Sequence, residues 1–193
     1  MTMTAKVQID LTYTPTIKAE VITRQEARSP KQIPFTGEDV NALLVRATPA
    51  DGKPWDAAFA IGFDSEHAYD GIFGWPDGSS LCVVAGGYSY VFKADSLGKN
   101  FTRLEPMPVT DVKLVPEHKL IVFADYTHLF AFNSERAAWK TERLSWEGVN
   151  ITKVGTGHIF GLAWDAVADK EVEFVVDVRD GSHTGGSQPW AKK

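Results

Sequence analysis

"GYSYVFKADS" occupies Gly87 to Ser96, and "DYTHLFAFNS" occupies Asp125 to Ser134. The second nearly repeats the first, 125 − 87 = 38 residues further on. The likeness extends upstream at the same offset, where Leu81-Cys82-Val83-Val84-Ala85-Gly86 falls on Lys119-Leu120-Ile121-Val122-Phe123-Ala124. Both are short apolar runs closed by a small residue, and each leads through a turn into a second strand. A third, looser copy aligns His118–Asp125 with His158–Asp165 at an offset of 40. Its next strand, Glu171 to Val178, needs an offset of 44, so the loop Ala166 to Lys170 is 44 − 40 = 4 residues longer.

Stacking the three copies predicts one apolar face. Phe92, Phe130 and Phe174 share a column, with Ala94, Phe132 and Val176 two residues on and Tyr90, His128 and Val172 two residues before. Side chains alternate along a strand, so all nine are expected on one side. The other side holds Lys93, Asp95, Ala131, Asn133, Val175 and Asp177, a mixed set that suits a half-buried strand. Asp95, Asn133 and Asp177 end the three strands, where Asp and Asn favour turns by bonding nearby backbone. Opening strands are expected at His67–Trp75, Val109–Val115 and Val149–Val154, and closing strands at Phe101–Leu104 and Ala138–Leu144. The expected fold is a single all-β domain, 1–193, in which an antiparallel meander of three blade-like repeats spans 67–108, 109–146 and 147–186.

Residues 1–66 lack the repeat's columns. Lys6–Tyr13 and Ile17–Thr23 read as a hairpin with Pro15 near its turn, Ser29–Pro34 as a loop, and Leu43–Ala47 and Ala57–Phe63 as strands. The one helical hint is Thr36–Leu43, where Thr36 can cap. Gly181–Pro189 reads as a loose tail leading into 187–193.

Four short strands recurring every 40 residues or so resemble the blades of β-propellers, over roughly residues 67 to 180. The resemblance implies either a small propeller-like assembly, with the N-terminal strands as a divergent fourth blade, or a curved sheet or sandwich that those strands complete. The second is the expectation. The ending, "LSWEGVNIT" through "GLAWD" to "VDVRDGSHTGG", resembles bacterial proteins of unassigned role. Gly157-His158 and Trp164-Asp165 echo the paired signature of WD40 repeats, but here both lie on one expected strand, and the other Trp-Asp, Trp55-Asp56, has no Gly-His partner.

Composition narrows the function classes. The 193 residues are 44% hydrophobic and 23% charged, as in an ordinary globule. A net charge of −5 opposes a broad nucleic-acid surface. The one cysteine, Cys82, lies in an apolar run and reads as a buried thiol. No stretch approaches the roughly 18 apolar residues of a spanning helix, and no signal peptide is apparent, so a cytoplasmic protein without membrane contact is expected.

Candidate chemistry is sparse. The histidines, His67, His118, His128, His158 and His183, form no HxH, HExxH or Cys/His spacing, so no metal or cofactor is implied. Gly155–Gly161 lacks the GxGxxG spacing and precedes a strand. Asp165, Asp169 and Glu171 lack the full calcium-loop ligand set. Asp51-Gly52, Asp77-Gly78 and Asp180-Gly181 are turn signals. Without a catalytic motif, a non-enzymatic binding or protein-interaction domain is expected, with Trp139, Tyr88 and Trp164 as candidate binding residues and an exposed strand edge offering homodimerisation. The alternative is a small hydrolase or lyase acting on a polar or sugar-like substrate through Asp125 and His128, with Tyr126 or Tyr88 nearby. Binding predicts a shallow aromatic-rimmed patch, and catalysis a deep polar pocket.

Overall fold

The computed structural model describes residues 7–33, 41–50, 52–63, 69–95 and 100–187. It is nearly all-β, with strands in four sheets. The chain divides into two compact units, Met1–Pro108 and Val109–Lys193, at the point where the second repeat was expected to begin.

In the first unit, β2 (Lys18–Val21), β4 (Ala42–Thr48), β5 (Trp55–Ala60) and β3 (Lys31–Ile33) form an N-terminal sheet in the order β2-β4-β5-β3. The first repeat forms a second sheet from β6 (Gly71–Gly74), β7 (Ser80–Ala85), β8 (Tyr88–Lys93) and β9 (Phe101–Arg103), with β1 (Gln8–Asp10) added outside β6. The alternation of Ala42-Leu43-Leu44-Val45-Arg46-Ala47-Thr48 turns Leu43, Val45 and Ala47 inward. They and Phe59 meet Ile72, Leu81, Val83, Tyr90 and Phe92 in one core. Phe59 stacks on Phe92 with ring centroids 5.4 Å apart. Two hydrogen bonds lock the layers: Tyr90 Oη donates to Ala60 O at 2.9 Å, and Trp55 Nε1 to Ala94 O at 2.8 Å.

In the second unit, β10 (Asp111–Val115), β11 (Leu120–Ala124), β12 (Leu129–Phe132) and β13 (Ala137–Lys140) form one meander, with a 3-10 turn, Pro116–His118, between the first two strands. β14 (Val149–Val154), β15 (His158–Asp165), β16 (Lys170–Asp177) and β17 (His183–Gly185) form the other. Val122, Leu129, Ala131 and Trp139 pack with Ile151, Ile159, Phe174 and Val176. The runs Leu81–Ala85 and Leu120–Ala124 are buried throughout, which explains why they are apolar without alternation. Burial also pushes the Cys82 thiol well above its ordinary pKa, as expected for a core cysteine.

The strand register corrects the repeat's alignment. Phe92 pairs with Leu81, Phe132 with Ile121, and Phe174 with Gly161. Leu81, Ile121 and Gly161 stand 40 residues apart, so the level column is Phe92, Phe132 and Phe174. Phe130 belongs one step along, with Tyr90 and Val172, whose partners are Phe123, Val83 and Ala163. The 38-residue offset errs by two. A slip of two leaves every side chain on its own face, which is why the alternation survives it. Phe92 and Phe174 lie in the cores between the sheets of their units, whereas Phe130 and Phe132 are buried on the other face of theirs.

Other corrections fall mostly at the N-terminus. β1 and β2 form no hairpin: β1 runs parallel to β6, and β2 pairs antiparallel with β4. Leu11–Ile17 instead folds into tight turns, with Thr14 N bonded to Leu11 O and Ile17 N to Thr14 O. The expected loop Ser29–Pro34 contains β3, which runs parallel to β5. Of the helical hint, Thr36 lies outside the described residues, and Ala42 and Leu43 are in β4. The tail is not loose before residue 188: β17 pairs with β16. His67, at the head of an expected strand, lies outside the described residues, and that strand begins at Gly71.

Candidate functional site

The residues singled out from sequence separate. Asp125, Tyr126 and His128 form the β11–β12 turn. Asp125 Oδ1 accepts hydrogen bonds from Thr127 N (2.6 Å), His128 N (2.7 Å) and Thr127 Oγ1 (3.0 Å), so the carboxylate is consumed in shaping the turn. His128 Nδ1 lies 2.6 Å from Thr127 Oγ1 and 3.7 Å from Asp125 Oδ1, beyond hydrogen-bond reach of the acid. Partial burial holds the imidazole below its ordinary pKa, Lys140 and Arg143 add to that, and Asp125 opposes it. Tyr126 is 37% exposed beside them.

Trp139 is a core residue, 8% exposed, whose Nε1 donates to Val178 O at 2.7 Å. Trp164 is half-buried on β15, with its backbone N and O both engaged. Tyr88 is the one binding candidate in an aromatic setting. The Arg103 guanidinium carbon lies 3.5 Å from its ring centroid, and Phe63 meets it edge-on at 5.4 Å. Phe63 and Met107 around it are 38% and 49% exposed, and Arg103 Nη2 donates to Met107 Sδ at 3.0 Å.

A different place carries clefts. On the face of the N-terminal sheet turned away from the core, Ala42, Leu44, Arg46 and Thr48 of β4 alternate outward, with Ala58 beside Leu44 and Asp56 beside Arg46. Residues 23–30 cross this face as a strap. Thr23-Arg24-Gln25-Glu26 closes a single turn in which Thr23 N and Oγ1 both donate to Glu26 Oε2 at 2.8 Å, holding that carboxyl below its ordinary pKa. Arg46 binds Asp56 through Nε to Oδ1 and Nη2 to Oδ2, each 2.8 Å, and donates from Nη2 to Glu26 O at 2.8 Å. Arg28 N donates to Asp56 Oδ2 at 2.6 Å. Asp56 is 7% exposed, and the Arg46 bonds hold its carboxyl below the usual range although burial opposes this.

The Arg46–Asp56 pair divides the face. On one side a 240 Å³ cleft has Ala42, Leu44 and Ala58 as floor, Ala27 and Pro30 as roof, and Arg24 and Gln32 at its rim. On the other, a 350 Å³ cleft is bounded by Arg28, Arg46, Thr48, Pro54, Trp55 and Asp56. A smaller 160 Å³ hollow beside Lys18 and Glu20 also reaches Arg46 and Thr48. None of these residues was proposed as a site from sequence; Trp55-Asp56 drew notice only as a Trp-Asp without a Gly-His partner. Thr-x-x-Glu at 23–26 is the capping-box spacing and signals the strap's turn; the Arg46–Asp56 pairing depends on strand register and carries no local signal.

No protein-family model matches the chain, and no curated protein is similar to it. Among the described residues, no helix is long and apolar enough to cross a membrane, and no group of His, Cys, Asp or Glu is placed to hold a metal ion.

Proposed function

We propose that the protein is a non-enzymatic binding domain whose site is the strapped face of the N-terminal sheet. The observation that carries this is the convergence of clefts on one rigid sheet face, with a loop tied across it by a two-pronged ion pair. A rigid sheet that positions a polar-tipped loop over small apolar side chains is a common basis for ligand recognition. The hydrolytic alternative is disfavoured because Asp125 already satisfies three donors and does not reach the imidazole.

Amide-resolved NMR with a fragment library tests the proposal. Hits should perturb Leu44, Ala58 and the strap amides. Fragments that instead perturb only Tyr126–His128, together with hydrolytic turnover abolished by His128→Ala, would replace binding with catalysis.

A second reading, protein interaction, is favoured by the patch around Tyr88, where Phe63, Arg103 and Met107 offer a shallow aromatic rim. A photo-crosslinker at Met107 that captures the same partner in wild type and in Phe63→Ser would count against this patch.

A further inference from the structure

We propose that Met107 is an oxidation site: a hydroperoxide converts its thioether to a sulfoxide, and Arg103 selects which epimer forms and then holds the new oxygen. Among the described residues the sulfur atoms are those of Cys82 and Met107, and their settings are opposite. Cys82 is wholly buried in β7, out of reach of an oxidant. Met107 follows the edge strand β9 and is 49% exposed. Arg103 Nη2 donates to its Sδ at 3.0 Å, and the carbon of the same guanidinium lies 3.5 Å from the centroid of the Tyr88 ring. That stacking fixes the plane of the guanidinium, so its N–H is held against one side of the sulfur. None of these residues belongs to the strapped face.

A thioether sulfur carries two lone pairs, and oxygen delivered to one or the other gives opposite epimers of the sulfoxide. The Arg103 N–H occupies one lone pair. The other attacks the outer oxygen of the hydroperoxide. The O–O bond breaks, the proton of the transferred hydroxyl passes to the departing oxygen, and water or an alcohol leaves. Sulfur loses two electrons and the peroxide gains them. The thioether is a weak acceptor, whereas a sulfoxide oxygen facing a guanidinium makes a charge-assisted hydrogen bond. Rotation about the Cγ–Sδ bond brings that oxygen to Arg103, so the product is held more firmly than the thioether was. Oxidation also sets a polar tip beside Tyr88 and Phe63, where a soft apolar one stood.

Hydrogen peroxide added to the full chain at neutral pH, followed by peptide mapping, tests this. Met107 should gain one oxygen while Cys82 stays a free thiol, and Met107→Leu should remove that gain. The digested Met107 peptide is then treated with two sulfoxide reductases, each specific for one epimer. One of them should restore at least about three-quarters of the thioether, against about half for each in Arg103→Leu, which keeps an apolar side chain beside Tyr88. In NMR spectra of the intact wild type, the Arg103 guanidinium protons should move downfield on oxidation. Met107 reacting more than about ten-fold slower than N-acetylmethionine, or Cys82 oxidising before it, overturns the site. Equal epimers in the wild type with unmoved Arg103 signals would leave an ordinary exposed thioether and overturn the role given to Arg103.

Discussion

Asp56 with Arg46 and Asp125 with His128 are both acid–base pairs, yet they do opposite work. Asp125 and His128 are three residues apart and look like chemistry on the page, but the Asp125 oxygen and the His128 ring nitrogen are 3.7 Å apart, and the carboxylate is spent on backbone N–H groups. Asp56 and Arg46 are ten residues apart with nothing to link them in sequence. Antiparallel register sets them opposite each other, where they form two 2.8 Å bonds and anchor a strap over clefts. Closeness along the chain brought the first pair near without engaging it, whereas strand pairing engaged the second.

The largest test of that contrast is Arg46→Met. It leaves the Asp56 carboxylate short of its main partner, and urea unfolding should show a clearly lower midpoint. The folded state holds Asp56 at a lower pKa than the unfolded chain does. The stability this contributes is therefore complete above about pH 4 and is lost on acidification; the variant should show a flatter acid limb. An unchanged midpoint would mean that the pair is not what fixes the strap.

Asp125→Ala should cost less, about 1–2 kcal/mol, because a solvated turn loses its side-chain acceptor. Asp125→Asn keeps an acceptor oxygen and should recover most of that stability. If Asn proves as damaging as Ala, the carboxylate's charge matters and the pair is more alike to Asp56–Arg46 than the geometry implies.

The smallest effect concerns His128. Its folded pKa is depressed, so the unfolded chain takes up the proton first. The stability held by the neutral imidazole is complete above about pH 6.5 and declines as pH falls below it. His183 is depressed in the same direction by burial, so His128→Gln should remove part of this decline and not all of it. Thermal melts between about pH 7 and pH 5 would read it, and an unchanged slope would contradict the burial of His128.

The same division between local and long-range order explains how much was legible. Val149–Val154 coincides with β14, and Asn133 and Asp177 cap the turns after β12 and β16, because alternation and Asx chemistry are local signals. Gly52, Gly78 and Gly181 all adopt positive φ, as their Asp-Gly or neighbouring turns required. β3, three residues long and bounded by Pro30 and Pro34, carried no period to detect. β1 pairs with a strand some sixty residues away, in parallel, and no adjacent pattern could announce it. The strap was hidden for the same reason: its turn is local, but the sheet positions that hold it are not.

Gly161 and Phe174 carry a rule for any relative of this protein. A methyl group at 161 would overlap the Phe174 ring and the Asn150 carbonyl, so the bare backbone is a socket moulded to that ring. At the same level the other meanders set Leu81 against Phe92 and Ile121 against Phe132, tolerating bulk on both strands. Homologues should therefore be found to keep glycine at position 161, because a smaller residue at 174 would still leave the Asn150 carbonyl in the way.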